Sequence, residues 1–198
     1  MDPSPAARRL IVGITGASGA LYGVRLLEAL RDAGVETHLV VSQWAARTLV
    51  HETDYTVQQV QDLASARYAI GDVGAAIASG SFLTMGMVIV PCSMRTLGAV
   101  AHGVGDNLIH RAADVVLKER RTLVLAVRES PLNEIHLNNM LILARMGVSI
   151  CPLTPAFYNR PQSIDEMVSY SVARLLDQLA IHRPASRWDG ELKKPSRT

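Results

Sequence analysis

The sequence has little cysteine, no long apolar run and no internal repeat, and each absence excludes a class of protein. Its 198 residues include two cysteines, Cys92 and Cys151. Two are too few for a disulfide-stapled fold, and we expect both to be small buried residues. The longest apolar runs, such as Met85–Pro91, are far shorter than the roughly 20 residues of a transmembrane helix. The opening MDPSPAARR lacks the apolar segment of a secretory signal. We therefore expect a cytoplasmic protein with no membrane partner.

Charge is nearly balanced, with a net of +2, but the excess is concentrated at one end. Residues 183–198 carry five basic and two acidic side chains, whereas the rest of the chain has a net charge of −1. The pattern predicts one folded domain over residues 1–182, followed by a basic tail over 183–198. Because no basic stripe crosses the folded part, we expect no nucleic-acid partner.

Signature motifs of several other enzyme classes are missing. The six histidines show no i, i+4 pairing and have no cysteine at ligand spacing, so no metal site is expected. No G-x-S-x-G elbow is present, which disfavours a serine hydrolase. Gly13, Gly16 and Gly19 are spaced by three, unlike the G-x-G-x-x-G fingerprint, and no P-loop lysine follows them. A standard dinucleotide or ATP site is therefore disfavoured.

Short apolar runs alternate with segments of helical periodicity along the chain, and this order predicts a doubly wound parallel sheet with helices on both faces. The predicted strands are Leu10–Ile14, Thr37–Ser42, Met87–Pro91, Leu123–Val127 and Val148–Leu153. The predicted helices are Tyr22–Ala33, Trp44–Val50, Val57–Ala64, a helix from the Ser93 cap to Gly103, Asn107–Arg121, Asn133–Met146 and Ile164–Leu179.

Small, hydroxyl or charged residues follow every predicted strand. Ligands of open parallel sheets bind outside the carboxyl ends of the strands, so five such segments at one edge predict a binding site there. The segments are Thr15–Ala20, Ser42, Pro91–Thr96, Arg128–Pro131 and Pro152–Pro161.

Each segment taken alone also has a purely structural interpretation. The first loop suits an anion or an electron-rich ring edge at a helix N-terminus, but it equally suits a tight turn. Ser93 could simply cap a helix. Arg128 and Glu129 form either a structural ion pair or an anion clamp, and Glu52 could be an ordinary exposed carboxylate. For Arg120 and Arg121, a solvated helix end is the favoured interpretation.

The motifs resemble those of the flavin prenyltransferases, the UbiX family, which includes the B subunits of phenolic-acid decarboxylase systems. The resemblance implies a three-layer, Rossmann-like α/β fold, usually assembled as a dodecamer. It implies a metal-independent transfer of the dimethylallyl group of dimethylallyl phosphate to N5 and C6 of reduced FMN. The product, prenylated FMN, would serve a UbiD-type decarboxylase. The matching segments span roughly residues 9–182 and are GITGASGALYGVRLL, ETHLVVS, HETDY, ASGSF, MVIVPCSMRTLGAV, RAADVVLKERR, LVLAVRESPLNEIHLNNM and PAFYNRPQSIDEMV.

The resemblance also implies roles for individual residues. The implied FMN-binding residues are Ala17, Ser18, Gly19, Ser42, Ser93, Met94, Arg95, Thr96 and Arg128, with Ser18 near N5. The implied contacts to dimethylallyl phosphate are Lys118, Arg128, Tyr158 and Arg174. The implied catalytic residues are Ser18, Glu52, Lys118, Glu129 and Tyr158, with both glutamates at the reaction centre.

One segment departs from the family. Some members carry an aromatic residue before the ASGS motif, where its ring faces a developing allyl cation, but Ile70–Ile77 contains none. That segment therefore lacks a ring for a cation–π contact.

Two other functions remain possible at this stage. One is a flavin-dependent decarboxylase of peptidyl or pantothenoyl cysteine, which shares the fold. The other is a non-catalytic, FMN-carrying subunit of an aromatic-acid decarboxylase. The joint presence of Lys118, Tyr158 and Arg174 favours catalysis.

Overall fold

Every strand pairing in the described part of the chain is parallel. The structure is a computed structural model that describes residues 8–182, so the predicted basic tail lies outside the described residues. The strands are β1 (Arg9–Ile14), β2 (Glu36–Val41), β3 (Ala66–Tyr68), β4 (Gly86–Cys92), β5 (Thr122–Val127) and β6 (Ser149–Ile150). Their order in the sheet is β3-β2-β1-β4-β5-β6. This order is that of a doubly wound, Rossmann-like sheet, and it confirms the predicted fold class.

Helices cover both faces of the sheet and form two hydrophobic cores. Successive side chains of a strand point to opposite faces, so Leu10 packs in one core and Ile11 in the other. The helices are α1 (Ala20–Asp32), α2 (Gln43–Glu52), α3 (Val57–Gln61), α4 (Met94–Ala101), α5 (Leu108–Lys118), α6 (Glu134–Arg145) and α7 (Ile164–Gln178). The first core holds side chains of α1, α2, α3 and α7, and the second holds those of α4, α5 and α6.

Polar side chains begin most of these helices, as the sequence indicates. The side chains of Ser42, Asn107, Asn133 and Ser163 each accept a hydrogen bond from a backbone N–H in the first turn. Such caps satisfy donors that the helix itself leaves without a partner. Ser42, Asn133 and Ser163 lie in segments that follow strands, at the edge where the site is predicted, whereas Asn107 lies between α4 and α5.

Several element boundaries differ from the predicted ones; for example, α2 continues to Glu52 beyond the predicted Val50, and α3 ends at Gln61 before the predicted Ala64. β3 was not predicted, because its three residues form an edge strand without an apolar run. β4 continues through Pro91, where the prediction ended it; its pairing with β5 shifts register there, so the ladder does not use the N–H that proline lacks. β6 pairs over only Ser149–Ile150. α5 ends at Lys118 because Arg120 adopts a left-handed φ of 54°.

Across residues 8–182, no helix is long and apolar enough to span a membrane. The same residues contain no group of three or more histidine, cysteine or acidic side chains arranged to hold a metal ion.

Candidate functional site

The strand order reverses between β1 and β4, and Thr15 ties the two strand ends together. Its buried hydroxyl donates to the carbonyl oxygen of Pro91 at 2.8 Å and accepts from the backbone nitrogen of Ser93 at 2.8 Å. The crevice at such a reversal is the usual ligand site of this fold. The sequence placed Thr15 in a loop without assigning it this role. The only sequence feature that could have indicated this role is the position of the threonine directly after a buried strand.

Further backbone hydrogen bonds bring the neighbouring loops to the same edge. The Ser42 nitrogen donates to the Ile14 carbonyl at 3.0 Å, and the Arg128 nitrogen donates to the Cys92 carbonyl at 3.2 Å. The loop after β6 is fixed to the end of β5 in the same way. The structure thus places all five segments along one edge of the sheet.

Glu52 lies at the centre of this edge, although it is the last residue of α2. One of its carboxylate oxygens accepts hydrogen bonds from the backbone nitrogens of Gly19 at 2.8 Å and Ala20 at 2.9 Å. Burial, the largest single influence, raises the pKa of Glu52. Hydrogen bonds from Ser18, Ala20 and Gly19, with the nearby charge of Arg128, outweigh it, so the pKa lies below its usual value. Glu52 is therefore a carboxylate held in the site.

The loop that contains Ser18 depends on two glycines. Gly19 adopts a left-handed φ of 101°, which disfavours other residues. A Cβ atom on Gly16 would lie 2.5 Å from the Cβ of Trp44, so the backbone must pass close to the start of α2. Ser18 is consequently presented at the surface of the crevice, next to Glu52.

The N-terminus of α4 forms the opposite wall. Ser93 caps this helix, since its hydroxyl accepts from the Thr96 nitrogen at 3.4 Å and donates to the Thr96 hydroxyl at 3.2 Å. The side chain of Arg95 is 78% exposed and lies 3.6 Å from Asp106. The capping interpretation of Ser93 is therefore correct, and the helix leaves an exposed guanidinium at its start.

Arg128 and Glu129 follow β5 and are both exposed. The Glu129 carboxylate accepts from the backbone nitrogen of Ser130 at 3.0 Å, while the charge of Arg128 acts on Glu52. The charge of Arg128 therefore lies within electrostatic range of the Glu52 carboxylate.

Tyr158 contacts α7, the helix that carries Arg174. The hydroxyl of Tyr158 contacts that of Tyr170, and the two rings pack edge to face. Arg174, one turn after Tyr170, pairs with Asp177 at 2.6 Å and lines a cavity of about 210 Å³ next to the end of β6. The sequence did not single out Tyr170 or Asp177, because a helix position alone does not show which loop it faces.

Lys118 lies away from these residues in the same chain. It ends α5 and therefore stands before the amino end of β5, whereas Arg128 follows the carboxyl end. The six residues of β5 span roughly 20 Å at ~3.3 Å per residue. Lys118 pairs instead with Glu119 at 2.6 Å. A single chain does not bring all the predicted site residues together.

Comparison with known proteins shows which family the chain resembles. The Flavoprotein family profile matches residues 4–176. A probable UbiX-like flavin prenyltransferase of Bacillus subtilis is 58% identical over 92% of this chain and 90% of its own. A dodecameric FMN-dependent UbiX-like decarboxylase from Escherichia coli O157:H7 superposes with a TM-score of 0.90 at 54% identity, covering 92% of this chain and 100% of that one.

A further solved structure, AnUbiX (PadA1) in complex with FMN and dimethylallyl pyrophosphate, has a TM-score of 0.87 at 48% identity, covering 92% of this chain and 99% of that one. By contrast, the FMN-dependent cysteine decarboxylase SpaF matches at 18% identity with a TM-score of 0.62, covering 88% of this chain and 98% of that one. That likeness shows a shared fold alone. The identity of 58% to the Bacillus subtilis protein, over nine-tenths of the chain, is far higher than that to SpaF. The chain therefore belongs to the UbiX-like flavin prenyltransferases.

Proposed function

We propose that this chain is a flavin prenyltransferase. It joins the dimethylallyl group of dimethylallyl phosphate to N5 and C6 of reduced FMN and makes prenylated FMN for a UbiD-type decarboxylase. The observation that carries the proposal is the position of Glu52. This carboxylate lies at the reversal point of the sheet, bonded to the Ser18 loop and close to Arg128. Family membership supports the same reaction.

The crevice fits FMN by the chemistry of its walls. FMN pairs a flat ring system with a phosphate, and the α4 N-terminus with exposed Arg95 suits an anion. The exposed Ser18 loop, fixed by Gly16 and Gly19, is proposed to contact the edge of the flavin ring. When bound, reduced FMN supplies the nucleophilic N5 and C6 atoms. The residues proposed to hold it are Ala17, Ser18, Gly19, Ser42, Ser93, Met94, Arg95, Thr96 and Arg128.

The prenyl donor needs positive charge where its phosphate departs. Arg128 lies at the crevice, and Arg174 lines the adjoining cavity at the end of β6. Each charge-assisted contact contributes roughly 1.5–3 kcal/mol when water is excluded. Tyr158 can donate a hydrogen bond to the same phosphate. These three side chains are proposed to bind the donor and offset the charge of the leaving group.

Ring closure at C6 releases a proton, so the site needs a base. Glu52 is held as a carboxylate by Ser18 and by two backbone N–H groups. Glu129 adds a second exposed carboxylate at the same edge. We assign the proton-transfer role to Glu52 because it lies directly beside the loop proposed to hold the flavin.

Lys118 reaches the site from a neighbouring copy in this proposal. Its own chain places it at the opposite edge of the sheet, so a second copy must present its Lys118 to the Arg128 edge of the first. Closed symmetric assembly provides such contacts. A dodecameric UbiX-like protein with 54% identity supports a homododecamer here.

The exposed face of α6 suits a surface buried in that assembly. Four large apolar side chains of this region are between 48% and 68% exposed: Ile135, Leu137, Leu141 and Met146. Apolar patches of this kind mark protein–protein interfaces. The start of α6 follows the Arg128–Glu129 segment, so a copy packed on this helix would lie next to the site.

We place the reaction in the cytoplasm. The two cysteines are free thiols, with Cys92 buried and Cys151 half-buried. Burial raises the pKa of Cys92 to about 12, so this thiol is not a nucleophile and serves as a packing residue. This agrees with a reducing compartment and with chemistry supplied by the flavin.

Anaerobic incubation of the purified protein with reduced FMN and dimethylallyl phosphate tests the proposal. The released flavin should gain one five-carbon unit by mass spectrometry. In a parallel incubation with oxidised FMN and a peptidyl or pantothenoyl cysteine, decarboxylation of that substrate without any flavin prenylation in the first assay would instead support the cysteine decarboxylase function. Binding of FMN with neither reaction would indicate a carrier subunit.

A further inference from the structure

We propose that Arg121 is a positioning residue for prenyl transfer. It fixes the segment Ser79–Phe82 against the end of α5 and thereby sets the position of the Lys118 ammonium group. The inference rests on the proposed function, in which Lys118 contacts the dimethylallyl phosphate. It assigns a role to a residue that the sequence indicated to be part of a solvated helix end.

The contacts of Arg121 are specific to its guanidinium. One terminal nitrogen donates to the carbonyl oxygen of Gly80 at 2.6 Å, and the other donates to that of Phe82 at 2.8 Å. The side chain is partly buried, unlike that of the adjacent Arg120, which is exposed. A planar, forked donor can hold two carbonyl oxygens at once, whereas an ammonium group offers a single point of charge.

Gly80 connects this clamp to Lys118. A Cβ atom on Gly80 would lie 3.0 Å from the ammonium nitrogen of Lys118 and 2.2 Å from a carboxylate oxygen of Glu119. The backbone at Gly80 therefore forms the surface on which the paired Lys118 and Glu119 side chains rest. Any movement of this backbone changes where the ammonium group can lie.

The other side of the segment is anchored independently. The Phe82 ring packs edge to face on His38, with centroids 5.0 Å apart, and Arg9 lies over it at 5.1 Å. The hydroxyls of Ser79 and Ser81 are 2.9 Å apart. Loss of the Arg121 clamp should therefore shift the Gly80 end of the segment while Phe82 stays packed. The effect should fall on Lys118 rather than on the fold.

A double-mutant cycle between Arg121 and Lys118 tests the inference. In Arg121→Lys the charge remains but the fork is lost. We expect the KM for dimethylallyl phosphate to rise at least about fivefold, with kcat and the FMN dissociation constant within about twofold. In the Lys118→Ala background the same change should cost less than about twofold, because Arg121 acts through Lys118. Arg120→Lys is the matched control and should change neither value.

Gly80→Ala provides a second test that leaves Arg121 intact. The added methyl meets only the ends of two flexible side chains, so the thermal midpoint should stay near that of the wild type while the KM for the donor rises. Gly71→Ala is its control, since nothing lies within 4 Å of a Cβ there. Should Arg121→Lys fail to fold, the cycle is run with Gly80→Ala.

The outcomes separate this inference from the proposed function. Equal losses from Arg121→Lys with and without Lys118, or no loss at all, would overturn the positioning role alone. A Lys118→Ala variant with wild-type kinetics would overturn that role and the assignment of Lys118 together. Wild-type protein that leaves FMN unprenylated would refute the proposed function itself.

Discussion

The Glu52 carboxylate accepts a hydrogen bond from the backbone nitrogen of Gly19 at 2.8 Å, across 33 positions of sequence. The acid at the end of one helix thus caps the beginning of another. A helix N-terminus favours negative charge, so the contact stabilises the carboxylate where the flavin edge is proposed to lie. The same residue can therefore serve both the fold and the chemistry, and the two contributions can be measured separately.

Replacing Glu52 with glutamine keeps the shape and one acceptor oxygen but removes the titrating group. We expect prenyl transfer to slow by roughly 10²–10⁴, the usual contribution of a general acid or base. FMN affinity should change by less than about twofold. Stopped-flow absorbance under anaerobic conditions measures the rate, and flavin titration measures the affinity. A variant with the wild-type rate would show that another group takes the proton.

The lowered pKa of Glu52 predicts how this carboxylate affects stability as pH changes. Because the pKa is lower in the folded state than in the unfolded state, the ionised group stabilises the fold above the usual carboxyl range near pH 4. That stabilisation is lost as the pH falls through the folded-state value. Urea melts of wild type and Glu52→Gln should therefore differ most near neutral pH and converge in acid. A constant difference from pH 7 to acid would contradict the assignment.

Filling the first loop should abolish flavin binding. Ser18 is exposed beside Glu52, so Ser18→Tyr places a bulky ring in the proposed flavin position without disturbing the core. We expect wild type to bind about one FMN per chain and the variant to bind at least ~100-fold more weakly, a loss of about 2.7 kcal/mol. Gln58→Tyr, at an exposed site on α3, is the control. Unchanged FMN affinity in Ser18→Tyr would move the site elsewhere.

Sequence patterns predicted the carboxyl-edge loops because a strand, a loop and a helix follow one another there in order. That order was enough to predict that the residues of the Ser18 and Arg128 loops lie at the carboxyl edge of the sheet. Other relationships were not predictable, since they depend on tertiary packing. The Glu52 contact joins two helix ends, the Tyr158 hydroxyl meets that of Tyr170 on α7, and the clamp of Arg121 lies at the amino edge of the sheet.

Charges on the exposed face of α6 should prevent assembly. Leu137 and Leu141 are one helical turn apart and 53% and 48% exposed, so glutamates at both positions cost the monomer little. Buried in an interface, two unpaired carboxylates would cost several kcal/mol each. Light scattering should show a large closed oligomer for wild type and smaller species for the double variant. Gln58→Glu, on exposed α3, should leave the mass unchanged. A double variant of wild-type mass would exclude this face, and a fully active wild-type monomer would exclude the assembly.

Arg174→Ala should separate donor binding from flavin binding. The guanidinium lines the cavity at the end of β6, whose lining contains none of the residues proposed to hold FMN, so FMN affinity should stay within about twofold. Its loss removes one charge from the proposed phosphate site. We expect a cost of roughly 2–4 kcal/mol in prenyl transfer, or about 30- to 1,000-fold in rate.

The matched control is Arg67→Ala, which removes an exposed arginine that pairs with Asp62 at 3.1 Å. Arg174 likewise pairs with an aspartate, Asp177, at 2.6 Å. A partly exposed ion pair is worth at most about 1 kcal/mol, so both variants should lose little stability in urea. Only Arg174→Ala should lose rate, and raising the concentration of dimethylallyl phosphate should restore part of it. Equal loss of FMN and donor binding in Arg174→Ala would contradict two separate sites, because one shared defect would then explain both.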